Sequence, residues 1–76
     1  MSTFYERVVN EQQELFEKID GLDKFIKSAK YNEISYAQRH LLAIQLNTMM
    51  SYNQVLLARL SELQLDESLR VAIKDK

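Results

Sequence analysis

Apolar side chains recur at helical intervals through the first thirty residues of the chain. The repeating positions are Phe4, Val8, Leu15, Ile19, Leu22, Phe25, Ile26 and Ala29. Steps of three and four residues place them along one side of an α-helix. Acidic residues stand four positions before basic ones on the other side, in the pairs Glu14 and Lys18, Asp20 and Lys24, and Asp23 and Lys27. Thr3 and Glu6 have the spacing of a capping box, so the pattern predicts a helix over residues 3–29.

A second helix is predicted over residues 36–64. The first pattern breaks after Ala29, where Asn32 can adopt the left-handed conformation that ends many helices. Ser35 and Gln38 again have capping-box spacing, and no Pro or Gly interrupts the residues that follow. The inward stripe of this helix consists of Leu42, Leu46, Met49, Leu56, Leu60 and Leu63, with the polar Asn53 midway.

Two long helices joined by a short linker must fold back on each other. The expected fold class is therefore all-α, an antiparallel two-helix hairpin over residues 1–65. Residues 66–76 are expected to form a short C-terminal helix or a frayed tail. Gly21 lies inside the first helix, either as an exposed residue of a continuous helix or as a weak point, a kink or a close approach by another chain.

The second helix carries more apolar residues than one neighbouring helix can cover. Those outside its inward stripe are Leu41, Ile44, Met50, Val55 and Leu57. No Asp, Glu, Lys or Arg occurs from Leu41 to Ala58, which indicates that this stretch is enclosed on most sides. The pattern predicts a homo-oligomeric helical bundle with these five residues at the interface. The alternative is a monomer whose C-terminal segment folds over the second face.

Polar groups inside the uncharged stretch need hydrogen-bond partners when they lose water. They are Gln45, Asn47, Thr48, Tyr52, Asn53 and Gln54. One interpretation is a network of amides between helices that fixes register and subunit number. The other is that several of them line a ligand cavity between protomers, where amides and a Tyr hydroxyl would recognise a base or a sugar.

Candidate ligand-binding residues combine aromatic, cationic and amide groups. They are Tyr5, Arg7, Lys18, Gln45, Tyr52 and Arg59. Antiparallel packing brings the start of the first helix close to the later half of the second, and there a Tyr ring could stack on a base while an Arg holds a phosphate. Ordinary ion pairs and packing contacts are the alternative. Glu11 and Lys18 interrupt the apolar stripe of the first helix, so we expect each to meet a group on a neighbouring chain or to lie on a solvated flank.

Composition excludes several classes of function. The 76 residues include ten basic and eleven acidic side chains, one His, one Gly and no Cys, for a net charge of −1. Metal sites and nucleophilic catalysis lack their usual ligands and groups, a Gly-rich phosphate loop is absent, and no basic surface favours nucleic acid. We expect no enzyme activity, cofactor, secretory signal or membrane span. The lack of Cys is compatible with a reducing cytoplasm.

One further signal is a resemblance. Its positions are Tyr5-Glu6-Arg7-Val8, Glu11, Leu15, Lys18, Leu22, Phe25, Leu41-Leu42, Gln45, Met49, Tyr52, Leu56, Arg59 and Leu60. Residues 4–60 resemble a family of small helical-hairpin proteins from crAss-like and other tailed phages. In architecture the chain is also similar to the anti-CBASS and anti-Thoeris sponges, small oligomers that hold cyclic nucleotide or ADP-ribose-type signals between protomers.

These resemblances imply a function in phage counter-defence. The chain would sequester a host immune nucleotide signal between protomers, without cleaving it, in the cytoplasm of an infected bacterium. The alternative is an oligomeric interaction module that binds a host or phage protein, such as a defence protein, through the second helix.

Overall fold

The chain is a rod of two antiparallel helices. The computed structural model describes the backbone of residues 3–74 and the side chains of residues 3–65. Helix α1 spans Phe4–Ile26, a 3-10 turn spans Ala29–Glu33, and helix α2 spans Tyr36–Lys74. The molecule measures 63 × 22 × 15 Å. Residues 3–74 contain no β-strand, so the prediction of an all-α hairpin is confirmed.

Helix α1 begins with the predicted capping box. The Thr3 hydroxyl accepts a hydrogen bond from the Glu6 amide at 3.1 Å, and the Glu6 carboxylate accepts one from the Thr3 amide at 3.2 Å. Two backbone N–H groups that the first turn leaves without helical partners are satisfied in this way.

Helix α1 ends at Ile26, three residues before the predicted end. The Ser28 hydroxyl donates to the Phe25 carbonyl at 2.6 Å, and the backbone at Ser28 is extended, with φ −90° and ψ 162°. A side chain that bonds to the nearby backbone competes in this way with the next helical hydrogen bond. Asn32, which could have ended the helix in a left-handed conformation, lies instead in the 3-10 turn, and no described non-Gly residue has a positive φ.

Helix α2 begins at Tyr36, where the Ser35 hydroxyl accepts a hydrogen bond from the Gln38 amide at 3.2 Å. It then runs without a break to Lys74, past the boundary expected near residue 65. The backbone of residues 66–74 thus continues α2, while the side chains of the predicted tail and all of residues 75 and 76 lie outside the described residues. Tyr31 closes the turn end of the hairpin, since its hydroxyl donates to the Arg39 carbonyl at 2.7 Å.

Gly21 is an exposed residue of a continuous helix. A Cβ built at this position meets no atom within 4 Å. The hairpin itself therefore gives no steric reason for a glycine here.

The hairpin has little core of its own. Among residues 3–65 only Val8, 3% exposed, and Leu56, 0% exposed, are fully buried. Most of both predicted inward stripes is half-buried, but Phe4 is 59% exposed, against expectation. Phe4 lies in the first turn of α1, where the Arg59 guanidinium is 5.5 Å from the centre of its ring. No described helix is both long enough and apolar enough to cross a lipid bilayer.

Candidate functional site

Two contacts join α1 and α2 along one edge of the hairpin. The Tyr52 hydroxyl donates a hydrogen bond to the Glu11 carboxylate, and the Arg59 guanidinium lies over the Phe4 ring, 5.5 Å from its centre. Glu11 follows Phe4 by seven positions on α1, and Arg59 follows Tyr52 by seven positions on α2, which is about two helical turns in each case. Both contacts therefore lie on one line along the rod.

The next step along this line reaches two more candidate residues. Lys18 follows Glu11 by seven positions, and Gln45 precedes Tyr52 by seven, so the two helices bring Lys18 and Gln45 level. We call this line the polar edge; it consists of Phe4, Glu11 and Lys18 of α1 with Arg59, Tyr52 and Gln45 of α2. Four of the six predicted ligand-binding residues lie on it.

The charged groups of the polar edge differ in whether they have a partner within the chain. The hydrogen bond to Glu11, followed by burial and by the negative charge of that carboxylate, raises the pKa of Tyr52, while Arg59 acts in the opposite direction. Glu11 thus has a hydrogen-bond partner within its own chain and is exposed, as expected for a solvated flank, while its contact with a neighbouring chain stays a prediction. Lys18 is exposed and forms no ion pair with any described side chain.

Two of the three predicted ion pairs form on the outer face of α1. Lys24 pairs with Asp20 and Lys27 with Asp23, each at 2.9 Å. The hydrogen bond to Asp20 and its charge raise the pKa of Lys24. The predicted pair of Glu14 with Lys18 does not form among the described side chains.

Tyr5 lies on the opposite edge of the hairpin. Its hydroxyl accepts a hydrogen bond from the Gln64 amide at 2.8 Å. The structure therefore does not bring Tyr5 and Tyr52 into one pocket. Arg7 is exposed one turn before Glu11, beside the polar edge but not within it.

The edge marked by Tyr5 and Gln64 carries an apolar surface that the sequence analysis identified only in part. Leu57 and Met50 precede Gln64 by seven and fourteen positions, and Phe16 follows Tyr5 by eleven, so all three lie on this side. Phe16 is 57% exposed, Met50 50% and Leu57 42%. We call these three residues the apolar edge. Phe16 was missed because it falls outside the main stripe of α1.

The remaining predicted interface residues lie on a third side of the molecule. Leu41, Ile44 and Val55 fall within about 60° of one another around α2, and about a third of a turn or more from Met50 and Leu57. All three are about half exposed in the single chain. The five residues expected to form one interface thus divide between two surfaces of the hairpin.

Polar groups of the uncharged stretch use several kinds of partner. The Gln12 amide donates to the Asn53 side chain across the half-buried helix interface at 3.0 Å. Thr48 donates to the Ile44 carbonyl at 2.9 Å, and the Gln45 amide lies 3.8 Å from the Met49 sulfur. Gln12 and Asn53 thus form an amide pair between helices, while the other two contacts stay within α2.

An open depression of about 410 Å³ lies on the outer side of α2, near Arg59. Its lining residues are Val55, Ala58, Arg59, Glu62 and Leu63. The depression is thus continuous with the polar edge through Arg59 and with the exposed surface of α2 through Val55.

Aromatic and basic groups also cluster at the start of α2. The Tyr36 and His40 rings are stacked with their centres 6.4 Å apart, and the Arg39 guanidinium lies 5.9 Å from the centre of the Tyr36 ring. Within the described residues no group of three His, Asp or Glu side chains is placed to hold a metal ion.

Comparison with known proteins identifies the family. The model of the family described as Sequestin matches residues 2–62, a range that contains the whole polar edge. The chain belongs to the Sequestin family. A relative from Enterobacteria phage T4, described as an uncharacterized 7.5 kDa protein in the denB-rIIB intergenic region, is 36% identical over 62 residues, which are 82% of this chain and 97% of the relative.

The Sequestin match and the T4 relative confirm the resemblance to a family of small phage proteins. No solved structure matches the chain.

Proposed function

We propose that this Sequestin protein sequesters a nucleotide signal of host immunity between its protomers, without cleaving it, in the cytoplasm of the infected bacterium. The observation that carries the proposal is the polar edge. A continuous line of side chains presents a cation at Lys18, an aromatic ring at Tyr52 and a second cation at Arg59. Its family name and its phage relative support a binding function of the sequestering kind.

The chemistry of the polar edge suits a phosphorylated nucleoside. Arg59 can hold a phosphate through two parallel hydrogen bonds, and Lys18 can neutralise phosphate charge as a flexible ammonium. The Tyr52 ring offers a surface for a base, and the Glu11 carboxylate can accept hydrogen bonds from a ribose hydroxyl or an exocyclic amine.

The polar edge of one chain is an open surface and not a pocket. Lys18 and Gln45 are exposed, and Tyr52 is 42% exposed. Tight sites bury most of the surface of a small ligand. We therefore place the ligand where a second protomer covers this edge, which is the reason for proposing binding between protomers. Every group named here binds or orients, and the proposed mechanism contains no bond-breaking step.

Thermal unfolding with a panel of cyclic dinucleotides, cyclic trinucleotides and cyclic ADP-ribose isomers tests the proposal. A ligand at about 100 times its dissociation constant adds about 2.7 kcal/mol to the free energy of unfolding, so at least one member should raise the melting temperature by several degrees. The mixture should return the nucleotide chemically unchanged when it is analysed by chromatography.

Two charge-removing variants locate the site. Lys18→Ala should lower the melting shift, whereas Lys24→Ala, which removes an equal charge from the outer face of the same helix, should leave it unchanged. A panel with no melting shift, or equal losses in the two variants, would contradict the proposal.

A protein-interaction module is the second candidate, and the apolar edge favours it. Phe16, Met50 and Leu57 form an exposed patch across both helices, and contiguous apolar patches on small proteins often mark protein contacts. In this alternative a host or phage protein binds through that side of α2.

A further inference from the structure

A second row of residues along α2 has the repeat of a helix-packing seam. The row consists of Leu41, Ile44, Thr48, Ser51, Val55 and Ala58, with alternating steps of three and four residues. This is the a and d spacing of a coiled coil, and it lies on the side of α2 that α1 leaves uncovered. All six side chains are exposed in the single chain. We call this row the seam.

We infer that a second copy of the chain packs against the seam with its α2 antiparallel to the first. The uncharged stretch from Leu41 to Ala58 has its midpoint between Met49 and Met50. A two-fold axis at that midpoint lays the stretch of one copy on the same stretch of the other, so every layer of the seam consists of uncharged residues. The resulting layers pair Leu41 with the partner's Ala58, Ile44 with the partner's Val55, and Thr48 with the partner's Ser51.

The depression beside Arg59 fits this register. Four of its lining residues, Val55, Ala58, Arg59 and Glu62, are related by steps of three, one and three residues. Such a set is the four-residue hole that receives one side chain from a facing helix. In the antiparallel register the side chain level with this hole is the partner's Leu41, which is 56% exposed in the single chain. The two-fold axis repeats the same contact at the other end of the seam.

Uncharged polar residues flank the seam on both sides and come opposite each other in the same register. On one flank Asn47 meets the partner's Gln54, so two amides can exchange hydrogen bonds. On the other flank Gln45 meets the partner's Tyr52, and Gln38 meets the partner's Arg59. A parallel arrangement would instead place Glu62, which continues the repeat of the seam by a step of four from Ala58, directly beside the partner's Glu62.

The second flank is continuous with the polar edge. Gln45, Tyr52 and Arg59 belong to both, so the two copies together line one trough whose floor is these residues and whose walls are the two α1 helices. The packing at the seam does not depend on the proposed function. The assignment of the trough as the ligand site does rest on the proposed function. The second copy would contribute residues to the site, which explains why the polar edge is open in a single chain.

Thiol cross-linking tests the register, because the natural chain has no Cys. Ile44→Cys and Val55→Cys proteins are prepared separately, mixed in dilute solution and treated with a short thiol-to-thiol reagent. The antiparallel register predicts a cross-linked product of mixed mass and little product from either protein alone. Ile44→Cys mixed with Met50→Cys is the matched control, since Met50 is as exposed as Val55 but lies on the apolar edge. Cross-linking of each protein to itself, or equal yields in the control mixture, would overturn the inference.

Mass measurement by light scattering gives a second test. The natural chain should have at least twice the 9.0 kDa mass of one copy, and Ser51→Arg, which adds a charge at the centre of the seam, should halve the measured mass while the helical circular dichroism remains. Gln13→Arg on the exposed face of α1 should leave the mass unchanged. A natural chain of single-copy mass, or a Ser51→Arg protein of unchanged mass, would refute the seam.

The two proposals can fail separately. Cross-linking in the expected register without any melting shift would retain the seam and reject the nucleotide ligand. A melting shift with no mixed cross-link would retain the ligand and reject this assembly.

Discussion

Gln12 and Asn53 meet across the hairpin at a half-buried position, and their amide hydrogen bond shows how single side chains fix the alignment of the helices. The same alignment sets Tyr52 beside Glu11 and Gln64 beside Tyr5. A shift of either helix by one turn would separate all three pairs. We infer that these polar contacts select one register among several that apolar packing alone would permit.

Replacing one member of the amide pair tests this role. Asn53→Ala leaves the Gln12 amide half-buried without its partner, and we expect the free energy of unfolding to fall by about 1–3 kcal/mol. Urea unfolding measures the loss. Gln13→Ala, a change at an exposed neighbour on α1, should cost less than about 0.5 kcal/mol. Equal losses in the two variants would show that the amide pair contributes nothing specific.

The sequence identified these polar residues but not their partners. Asn53 and Glu11 were recognised as interruptions of apolar stripes, but the intrachain partner of Glu11, the Tyr52 hydroxyl, was not predicted. Its partner depends on register, which the length of the turn and the exact end of α1 determine. Those details depend on local contacts, such as the hydrogen bond from the Ser28 hydroxyl to the Phe25 carbonyl. The spacing of apolar residues in the sequence does not reveal such contacts.

The two helices differ in how much of their surface is apolar. Helix α1 has one main stripe opposite a charged face, whereas α2 carries apolar residues on its inward stripe, on the seam and on the apolar edge. The capping-box spacings at Thr3 and Ser35 predicted where the two helices begin. Both predicted starts are confirmed by the hydrogen bonds that the two hydroxyls accept. The excess of apolar residues on α2 was also recognisable in advance, but its division between two sides required the observed contacts.

Gly21 offers a stabilising change within α1. A Cβ at this position meets nothing within 4 Å, and the residue is helical, so Gly21→Ala should raise the free energy of unfolding by about 0.5–1 kcal/mol. Thermal or urea unfolding measures the gain. A loss of stability or of oligomer mass would instead indicate that another chain approaches α1 closely at Gly21.

Three surfaces of the whole hairpin carry its candidate interactions: the polar edge, the seam and the apolar edge. The fold class followed from periodicity because two amphipathic helices with a short linker have few ways to pack. The candidate site could be predicted from the sequence only in part. Four candidate residues lie together on the polar edge, namely Lys18, Gln45, Tyr52 and Arg59. Tyr5 is at a similar height along the hairpin to Arg59, but it lies on the opposite edge, where it bonds to Gln64.

Separate surfaces predict separate effects of mutation. Leu57→Glu on the apolar edge should leave the oligomer mass unchanged, whereas Val55→Glu in the seam should lower it, although each change adds one carboxylate to α2. Light scattering at matched concentrations measures both. If the interaction-module alternative is correct, Leu57→Glu should also abolish binding of a purified protein partner. Equal losses of mass in the two variants would contradict the division into two surfaces.

The hydrogen bond between Tyr52 and Glu11 lowers the entropy that the tyrosine ring would lose when a base stacks on it. A free tyrosine on a helix surface samples several rotamers, and a ligand that stacks on it must first freeze that motion. Here the carboxylate already restrains the ring, so little rotational entropy remains to be lost on contact. Under the proposed function such preorganisation would tighten binding of the base, and a tightly bound signal stays away from its effector.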